Sequence, residues 1–231
     1  MKPVLSVERP PPTLASARGL SALELLVGAA IVIGHNVFHV VPNEVPILVA
    51  LGLVSMRLRN GGWAWGSLGF RRPASWLHVV AIALAAAAIR IVLGSYAIEP
   101  LTLHFWPPAK APAGVDEITG NIKLALLYLP IVWGFAAFGE EIAYRGYLLN
   151  RAADCGGRST AGFWAGAVVV AVLFGYGHYY KGPAGIVDSG IAGLIFGAAY
   201  ILSGRNLWTT ILAHGFIDTF GLVMAYLGLD A

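Results

Sequence analysis

The chain is organised around one short charged stretch, which reads Phe138-Gly139-Glu140-Glu141-Ile142-Ala143-Tyr144-Arg145-Gly146. It places two adjacent carboxylates and an arginine inside a run of residues that is otherwise apolar enough to be a membrane-spanning helix. A charged side chain at the centre of a bilayer costs about 2.5–3.5 kcal/mol on insertion scales. Three such side chains close together therefore indicate a function, and we expect later parts of the chain to supply polar partners for them.

The composition is that of an integral membrane protein. Of 231 residues, 58% are hydrophobic and 12% are charged, whereas soluble domains carry about 25% charged residues. The net charge is only +3, and the basic residues lie in loops between apolar runs without forming a cluster, which excludes a nucleic-acid partner. The single cysteine, Cys155, excludes an internal disulfide framework.

Apolar runs of bilayer length predict an all-α fold. A helix needs about 20 apolar residues to cross the hydrocarbon region. Runs of this kind lie near residues 20–41, 75–98, 122–149, 161–180, 186–203 and 207–227, and a shorter run covers 45–56. We predict a polytopic bundle of about seven transmembrane helices.

The chain divides into three parts by composition. Residues 1–19 are polar and proline-containing and are predicted to be a disordered cytoplasmic tail without a signal peptide. Residues 20–117 form the N-terminal transmembrane helices, and residues 118–231 form a C-terminal transmembrane core. Orientation follows from charge asymmetry: with seven spans and the N-terminus inside, the cytoplasmic segments hold Lys2, Arg9, Arg18, Arg57, Arg59, Arg71, Arg72, Arg151, Arg158 and Arg205, against Lys110, Lys123 and Lys181 opposite.

Spacing within the charged stretch predicts two side-chain pairs. Residues four apart lie on one helix face, so Glu141 pairs with Arg145 and Glu140 with Tyr144. One carboxylate is then held by the arginine while the other is available to a different partner, which suits a general base. The alternative is a structural ion pair that locks two helices together, and this motif alone supports both interpretations equally.

Two further polar motifs follow on later spans. The first, Phe174-Gly175-Tyr176-Gly177-His178, ends in a histidine near the end of its span, where an interfacial histidine is the commoner case. In the second, His214-Gly215-Phe216-Ile217-Asp218, the spacing lets the carboxylate accept a hydrogen bond from the imidazole and fix its tautomer. Together the three motifs supply a base, an arginine and two histidines, which is a hydrolytic constellation.

Polar or small residues outside these motifs have structural interpretations. Arg90, in an alanine-rich span, is expected either to pair with a carboxylate or to extend to the interface. Asp188 is interpreted as a helix-capping residue. The pair Gly193-x-x-x-Gly197 is interpreted as a face for close contact between helices.

Signatures of several other intramembrane proteases do not occur in the sequence. There is no His-Glu-x-x-His of the helical zinc proteases and no Gly-x-Ser-x-Gly of the serine hydrolases. No Gly-x-Gly-Asp string occurs, and Ser189 lacks the preceding glycine of a rhomboid-type motif. Cys155 lies in a predicted cytoplasmic loop without a neighbouring histidine, so a thiol nucleophile is not expected.

The three ordered motifs carry a resemblance to a known family. Glu140-Glu141-x-x-x-Arg145, Phe174-x-x-x-His178 and His214-x-x-x-Asp218 resemble those of the CAAX-protease and bacteriocin-processing (CPBP or Abi) family of intramembrane proteases. The resemblance covers residues 118–226. The third motif of that family commonly ends in asparagine, and Asp218 replaces an amide donor with an acceptor, which weighs against an oxyanion-binding role at this position.

The resemblance implies a catalytic core in the C-terminal four helices and an endopeptidase that cleaves membrane-anchored proteins or peptides, either lipidated or bacteriocin-like, within the lipid bilayer. Such a protein is expected in a prokaryotic inner or plasma membrane. By motif position, Glu140 and His178 would activate the attacking water, and Glu141 and Arg145 would hold the first motif in place. His214 together with residue 218 would polarise the scissile carbonyl.

The resemblance leaves the cofactor and two other functions open. The family is often labelled metal-dependent, and Glu140, His178 and His214 could hold Zn²⁺ with one open position. A metal-free mechanism uses the same groups and is favoured because no close i, i+4 pair of histidines exists. A transporter or proton-relay protein is the main alternative, although the two halves lack matching broken helices. A non-catalytic membrane scaffold or immunity factor is the other.

Overall fold

All regular elements in the part of the chain that the structure describes are helical. The computed structural model describes residues 14–107 and 115–229, and it has no strand in these ranges. We label the longer helices α1 Leu14–Asn36, α2 Glu44–Asn60, α3 Trp76–Phe105, α4 Ile122–Cys155, α5 Thr160–Tyr176, α6 Gly182–Leu202 and α7 Leu207–Leu227. Short helical turns lie between them at Trp65–Leu68, Val115–Ile118 and Tyr179–Lys181. The predicted all-α polytopic bundle is confirmed.

Five of the described helices are long and apolar enough to cross a membrane, and these are α1, α3, α4, α6 and α7. Helix α5 is apolar but shorter, and α2 corresponds to the short run in the sequence. Large apolar side chains such as Leu77, Tyr96 and Phe135 are exposed on the outside of the bundle. An apolar outer surface of this kind is expected where lipid, not water, surrounds the helices.

Capping side chains determine where five of the described helices begin. In each case a side-chain oxygen just before the helix accepts a hydrogen bond from a backbone N–H of the first turn: Asn43 before α2, Ser75 before α3, Asn121 before α4, Ser159 before α5 and Asn206 before α7. The amide of Asn206 also donates to the carbonyl of Arg71 at 3.0 Å. The start of α7 is therefore tied to the segment before α3.

Helices α5 and α6 pack closely through glycines. A Cβ atom at Gly193 would lie 3.1 Å from Cα of Ala171, and one at Gly197 would lie 3.0 Å from Cβ of Ala167. The predicted contact face at these two glycines is confirmed. Such close approach lets a backbone carbonyl of α6 reach side chains deep in the bundle.

Helix α4 departs from regular α-helical geometry around the charged stretch. Pro130, which lacks a backbone N–H, lies inside the helix, and the backbone is π-helical over Val132–Glu140 and again over Ile142–Leu148. π-Helical turns are rare and occur mostly at functional sites. The two carboxylates of the first motif lie where these two segments meet.

Some boundaries and one side-chain role differ from the sequence prediction. Helix α1 already begins at Leu14, before the predicted end of the tail at residue 19, and the rest of the tail, 1–13, lies outside the described residues. The capping role of Asp188 is wrong, because this residue lies inside α6 and pairs with Arg90 of α3 at 2.6 Å. The predicted carboxylate partner of Arg90 is thereby identified.

Candidate active site

The first motif forms the predicted ion pair in the interior of the bundle. Nη1 of Arg145 lies 2.8 Å from Oε1 of Glu141, and both side chains are fully buried. Removing two charges from water is costly unless the pair gains further hydrogen bonds. Both partners of this pair make such further contacts.

Further contacts hold the guanidinium of Arg145. Its Nη2 donates to the carbonyl of Gly193 on α6 at 3.0 Å. The guanidinium carbon lies 4.6 Å from the ring centre of Phe174 and 5.0 Å from that of Phe196. A planar cation between two aromatic rings is stabilised by cation–π attraction. Arg145 thus joins α4 to both α5 and α6.

The carboxylate of Glu141 also binds the histidine of the third motif. Nδ1 of His214 lies 2.9 Å from Oε1 of Glu141, the same oxygen that Arg145 contacts. Because a carboxylate ion-paired with arginine accepts hydrogen bonds, Nδ1 is the donor, and Nε2 of the ring remains for other partners.

Asp218 does not make the hydrogen bond that its spacing predicts. Its Oδ2 lies 3.6 Å from Nε2 of His214, which is longer than a hydrogen bond. The tautomer of His214 is therefore fixed from α4 by Glu141, and not from within its own helix. Sequence spacing could not reveal this, because the contact joins residues that are far apart in the chain.

Phe196 is a site residue that the sequence reasoning missed. Its ring stacks on the imidazole of His214 with centroids 4.8 Å apart, and it also contacts Arg145. The available signal was its place on the small-residue face of α6, three residues after Gly193 and so on the same side of the helix.

Glu140 differs from its neighbour because no side chain in the described ranges hydrogen-bonds to it. It is half-buried, and its Oε2 is buried without a hydrogen-bond partner among the residues that the structure describes. The predicted pairing with Tyr144 is not formed, since the Tyr144 ring packs edge-on against Phe174 at 5.0 Å.

The histidine of the second motif lies in the turn just after α5. Nδ1 of His178 is 2.9 Å from the carbonyl oxygen of Phe174, and because a carbonyl only accepts, Nδ1 carries the hydrogen. Its Nε2 is then the acceptor of the neutral ring. The Phe174 ring separates the two histidines, with centroids 4.9 Å from His178 and 6.1 Å from His214.

The predicted zinc ligands do not form a metal-binding group in the described residues. Within 14–107 and 115–229, no three histidine, cysteine or acidic side chains are arranged to hold a metal ion. Nδ1 of both His178 and His214 is already hydrogen-bonded to protein, which leaves only their Nε2 atoms as ligands. Zinc binding by Glu140 and these histidines stays a prediction.

The fold and the site define a polytopic membrane protein with a buried carboxylate–arginine–histidine cluster built from four helices. Residues 122–220 match the family described as type II CAAX prenyl endopeptidase Rce1-like, from the start of α4 into α7. The resemblance predicted from the three motifs is thereby confirmed for this segment, and it supports an intramembrane endopeptidase in general. No curated protein and no solved structure matches the chain.

Proposed function

We propose that the protein is an intramembrane endopeptidase in which Glu140 is the base that activates the attacking water. The observation that carries this proposal is the unequal environment of the two adjacent carboxylates. Glu141 is committed to Arg145 and His214, whereas Oε2 of Glu140 is buried without a hydrogen-bond partner in the described chain. Buried polar atoms normally have partners, and an exception beside histidines suits an atom that holds a reacting water.

The hydrolytic step uses the second motif together with Glu140. A water held by Glu140 and Nε2 of His178 attacks the carbonyl carbon of the substrate peptide bond, and its proton passes to the base. A carbon–oxygen bond forms, and the carbonyl electrons move to the oxygen. When the carbon–nitrogen bond breaks, the proton on the base is transferred to the leaving amine nitrogen.

His214 is positioned to stabilise the negative charge of the intermediate. Its Nδ1–H donates to Glu141, and a proton on Nε2 converts the ring into an imidazolium, which the neighbouring carboxylates favour. The Nε2–H then donates to the oxyanion. Asp218, 3.6 Å from Nε2, contributes charge to this arrangement and is not the oxyanion donor itself.

The position of the site in apolar helices supports a membrane-associated substrate. Glu140 lies in α4, which is long enough to span the bilayer, so the scissile bond must be reached from within the membrane or at its surface. We propose a membrane-anchored protein or peptide, either prenylated at a CAAX sequence or bacteriocin-like. The basic residues predict that the N-terminus lies in the cytoplasm.

The test is hydrolysis by purified protein in liposomes, with a farnesylated CAAX peptide as probe and mass spectrometry of the products. Wild type, Glu140→Gln and the matched control Glu99→Gln, an exposed carboxylate of α3, are compared. We expect cleavage by wild type and by the control and loss of cleavage in Glu140→Gln. In parallel, termini of membrane proteins are compared in cells carrying the same three forms. Cleavage by Glu140→Gln at the wild-type rate, or no change in any terminus, would refute the proposal.

A further inference from the structure

A separate polar cavity lies at the ends of α2, α4 and α6. Its volume is about 400 Å³, and none of the six predicted site residues lines it. The turn at Trp65–Leu68 closes one side. Five arginines line this arginine cavity: Arg59, Arg71, Arg151, Arg158 and Arg205.

Carboxylates compensate only part of this charge. Asp154 pairs with Arg158 at 2.7 Å and with Arg151 at 3.3 Å. Glu24 of α1 pairs with Arg59 at 2.8 Å. Two carboxylates thus face five guanidinium groups.

The uncompensated cations are Arg71 and Arg205. Neither has a carboxylate partner within the described residues. Nη2 of Arg71 donates to the carbonyl of Arg205 at 3.1 Å, and the Arg205 guanidinium lies 4.9 Å from the ring centre of Phe163. Both groups are therefore held at the cavity without an opposing negative charge.

Two of the lining arginines have an uncommon backbone conformation. Arg158 and Arg205 have φ values of +55° and +65°, in the left-handed region that residues other than glycine rarely adopt. They follow Gly157 and Gly204, which have the same sign of φ, at the ends of α4 and α6. Such conformations cost about 1–3 kcal/mol and tend to occur at ligand sites.

Surface arginines of the cytoplasmic side would be the simpler explanation, but the geometry argues against it. Arg57 and Arg72 fit that explanation, since both are exposed and lie outside the cavity. Arg71 is exposed as well, but it lines the cavity and its Nη2 donates to the carbonyl of Arg205. Arg205, in contrast, is half-buried, and a half-buried cation without a carboxylate partner needs a counter-charge.

We propose that the arginine cavity binds an anion carrying a phosphate group. Guanidinium groups match phosphate oxygens in geometry and charge, and the volume is in the range of small-ligand sites. The phosphate belongs either to the headgroup of an anionic phospholipid or to a soluble compound. Basic pockets between helices on the cytoplasmic side are typical sites for anionic headgroups. The proposal does not depend on the proteolytic function.

The test compares two double variants with the same change in charge. Arg71→Gln/Arg205→Gln removes the uncompensated cations of the cavity, and Arg57→Gln/Arg72→Gln removes two exposed arginines that also lack a carboxylate partner in the described residues. Thermal unfolding is measured in nanodiscs of phosphatidylcholine, with phosphatidylglycerol added to the lipid or inorganic phosphate titrated into the solution. We expect a saturable rise in Tm for wild type and control, and an apparent affinity about tenfold or more lower in the cavity variant.

The two probes separate the two sources of phosphate. A rise with phosphatidylglycerol alone assigns the site to a lipid headgroup, and a rise with inorganic phosphate assigns it to a soluble compound. No rise with either probe, or an equal rise in the cavity variant, overturns the proposal. If the cavity variant fails to fold, labelling of wild type with phenylglyoxal tests the site instead. With a bound probe, Arg71 and Arg205 should be labelled more slowly than Arg57 and Arg72. Equal labelling of all four arginines with both probes also overturns the proposal.

Discussion

Nδ1 of His214 lies 2.9 Å from Oε1 of Glu141, so a buried hydrogen bond joins the last helix of the bundle to the fourth. The same oxygen also accepts a hydrogen bond from Nη1 of Arg145. This relationship assigns unequal roles to two adjacent residues. Glu141 links two helices, whereas Oε2 of Glu140, the proposed base, has no hydrogen-bond partner among the described residues.

Glu140→Gln and Glu141→Gln should therefore differ in stability although the chemical change is the same. Glu141→Gln leaves Arg145 buried without a counter-charge, and we expect a loss of about 3–5 kcal/mol in the free energy of unfolding. Glu140→Gln removes a carboxylate that has no ion-pair partner in the described chain, and we expect a change within about 1 kcal/mol. Reversible unfolding in detergent micelles measures both. Equal losses in the two variants would contradict the assignment.

The rates of hydrolysis of Glu140→Gln and Glu141→Gln should differ in the opposite sense from their stabilities. We expect Glu140→Gln to lower the rate of hydrolysis by about 10²–10⁴-fold, as for loss of a general base, with unchanged unfolding. The activity of Glu141→Gln should fall in proportion to the fraction of this variant that is folded. The rate is normalised to the folded fraction from size-exclusion chromatography, and a normalised rate of Glu140→Gln near that of wild type would contradict this prediction.

Arg145→Lys should not be a conservative change. The lysine ammonium keeps the charge beside Glu141, but it cannot at the same time donate to the Gly193 carbonyl. It also lacks the planar group that lies against the rings of Phe174 and Phe196. We expect a loss of about 2 kcal/mol in unfolding free energy, from the charged hydrogen bond and the aromatic contacts. Arg158→Lys, at a half-exposed position, serves as control, and equal effects would count against the packing argument.

Gly215→Ala tests whether the residue beside His214 must be small. A Cβ atom there would lie 2.6 Å from the Trp133 ring, which is itself held by a 3.1 Å hydrogen bond from Nε1 to Thr219. We expect a loss of about 1–3 kcal/mol from overpacking, together with reduced hydrolysis. Gly221→Ala, on the same helix with no neighbouring atoms within 4 Å, should be neutral or stabilising by up to about 1 kcal/mol. Thermal unfolding of both variants decides, and similar shifts would refute the contact.

Chelator treatment tests the metal question directly. Because no three histidine, cysteine or acidic side chains are arranged to hold a metal ion in the described residues, we expect hydrolysis to survive dialysis against EDTA. Metal content is measured by mass spectrometry on the same samples. Activity lost with EDTA and restored by Zn²⁺ would instead favour the ligand set Glu140, His178 and His214.

The sequence predicted local relationships better than contacts between helices. The Glu141–Arg145 pair was predicted because residues four apart share a helix face whatever surrounds them. The contact of Glu141 with His214 and the stacking of Phe196 depend on how helices are placed, which spacing does not encode. The Arg90–Asp188 pair illustrates this difference. An arginine inside a membrane-spanning run predicts that some carboxylate pairs with it, but the sequence does not indicate which carboxylate.

Helix bounds were predicted only as far as hydrophobicity defines them. The apolar run of α4 has the same hydrophobicity whether its backbone is α-helical or π-helical, so the π-helical segment Val132–Glu140 could not be predicted. The fold class, in contrast, follows from the length and apolarity of the runs, and the charges of the first motif indicate where a site is expected.

The π-helical segment before Glu141 has a consequence for how the site depends on chain length. A π-helical turn holds about one residue more than an α-helical turn. Deleting one residue between Val132 and Phe138 would let the backbone become regular without turning Trp133 relative to Glu140, because the π-helical segment takes up the extra residue locally. The same deletion in a regular α-helix would turn everything before it by about 100°. The segment that bears the site can therefore lose a residue that a regular helix could not lose without moving Trp133 away from Gly215.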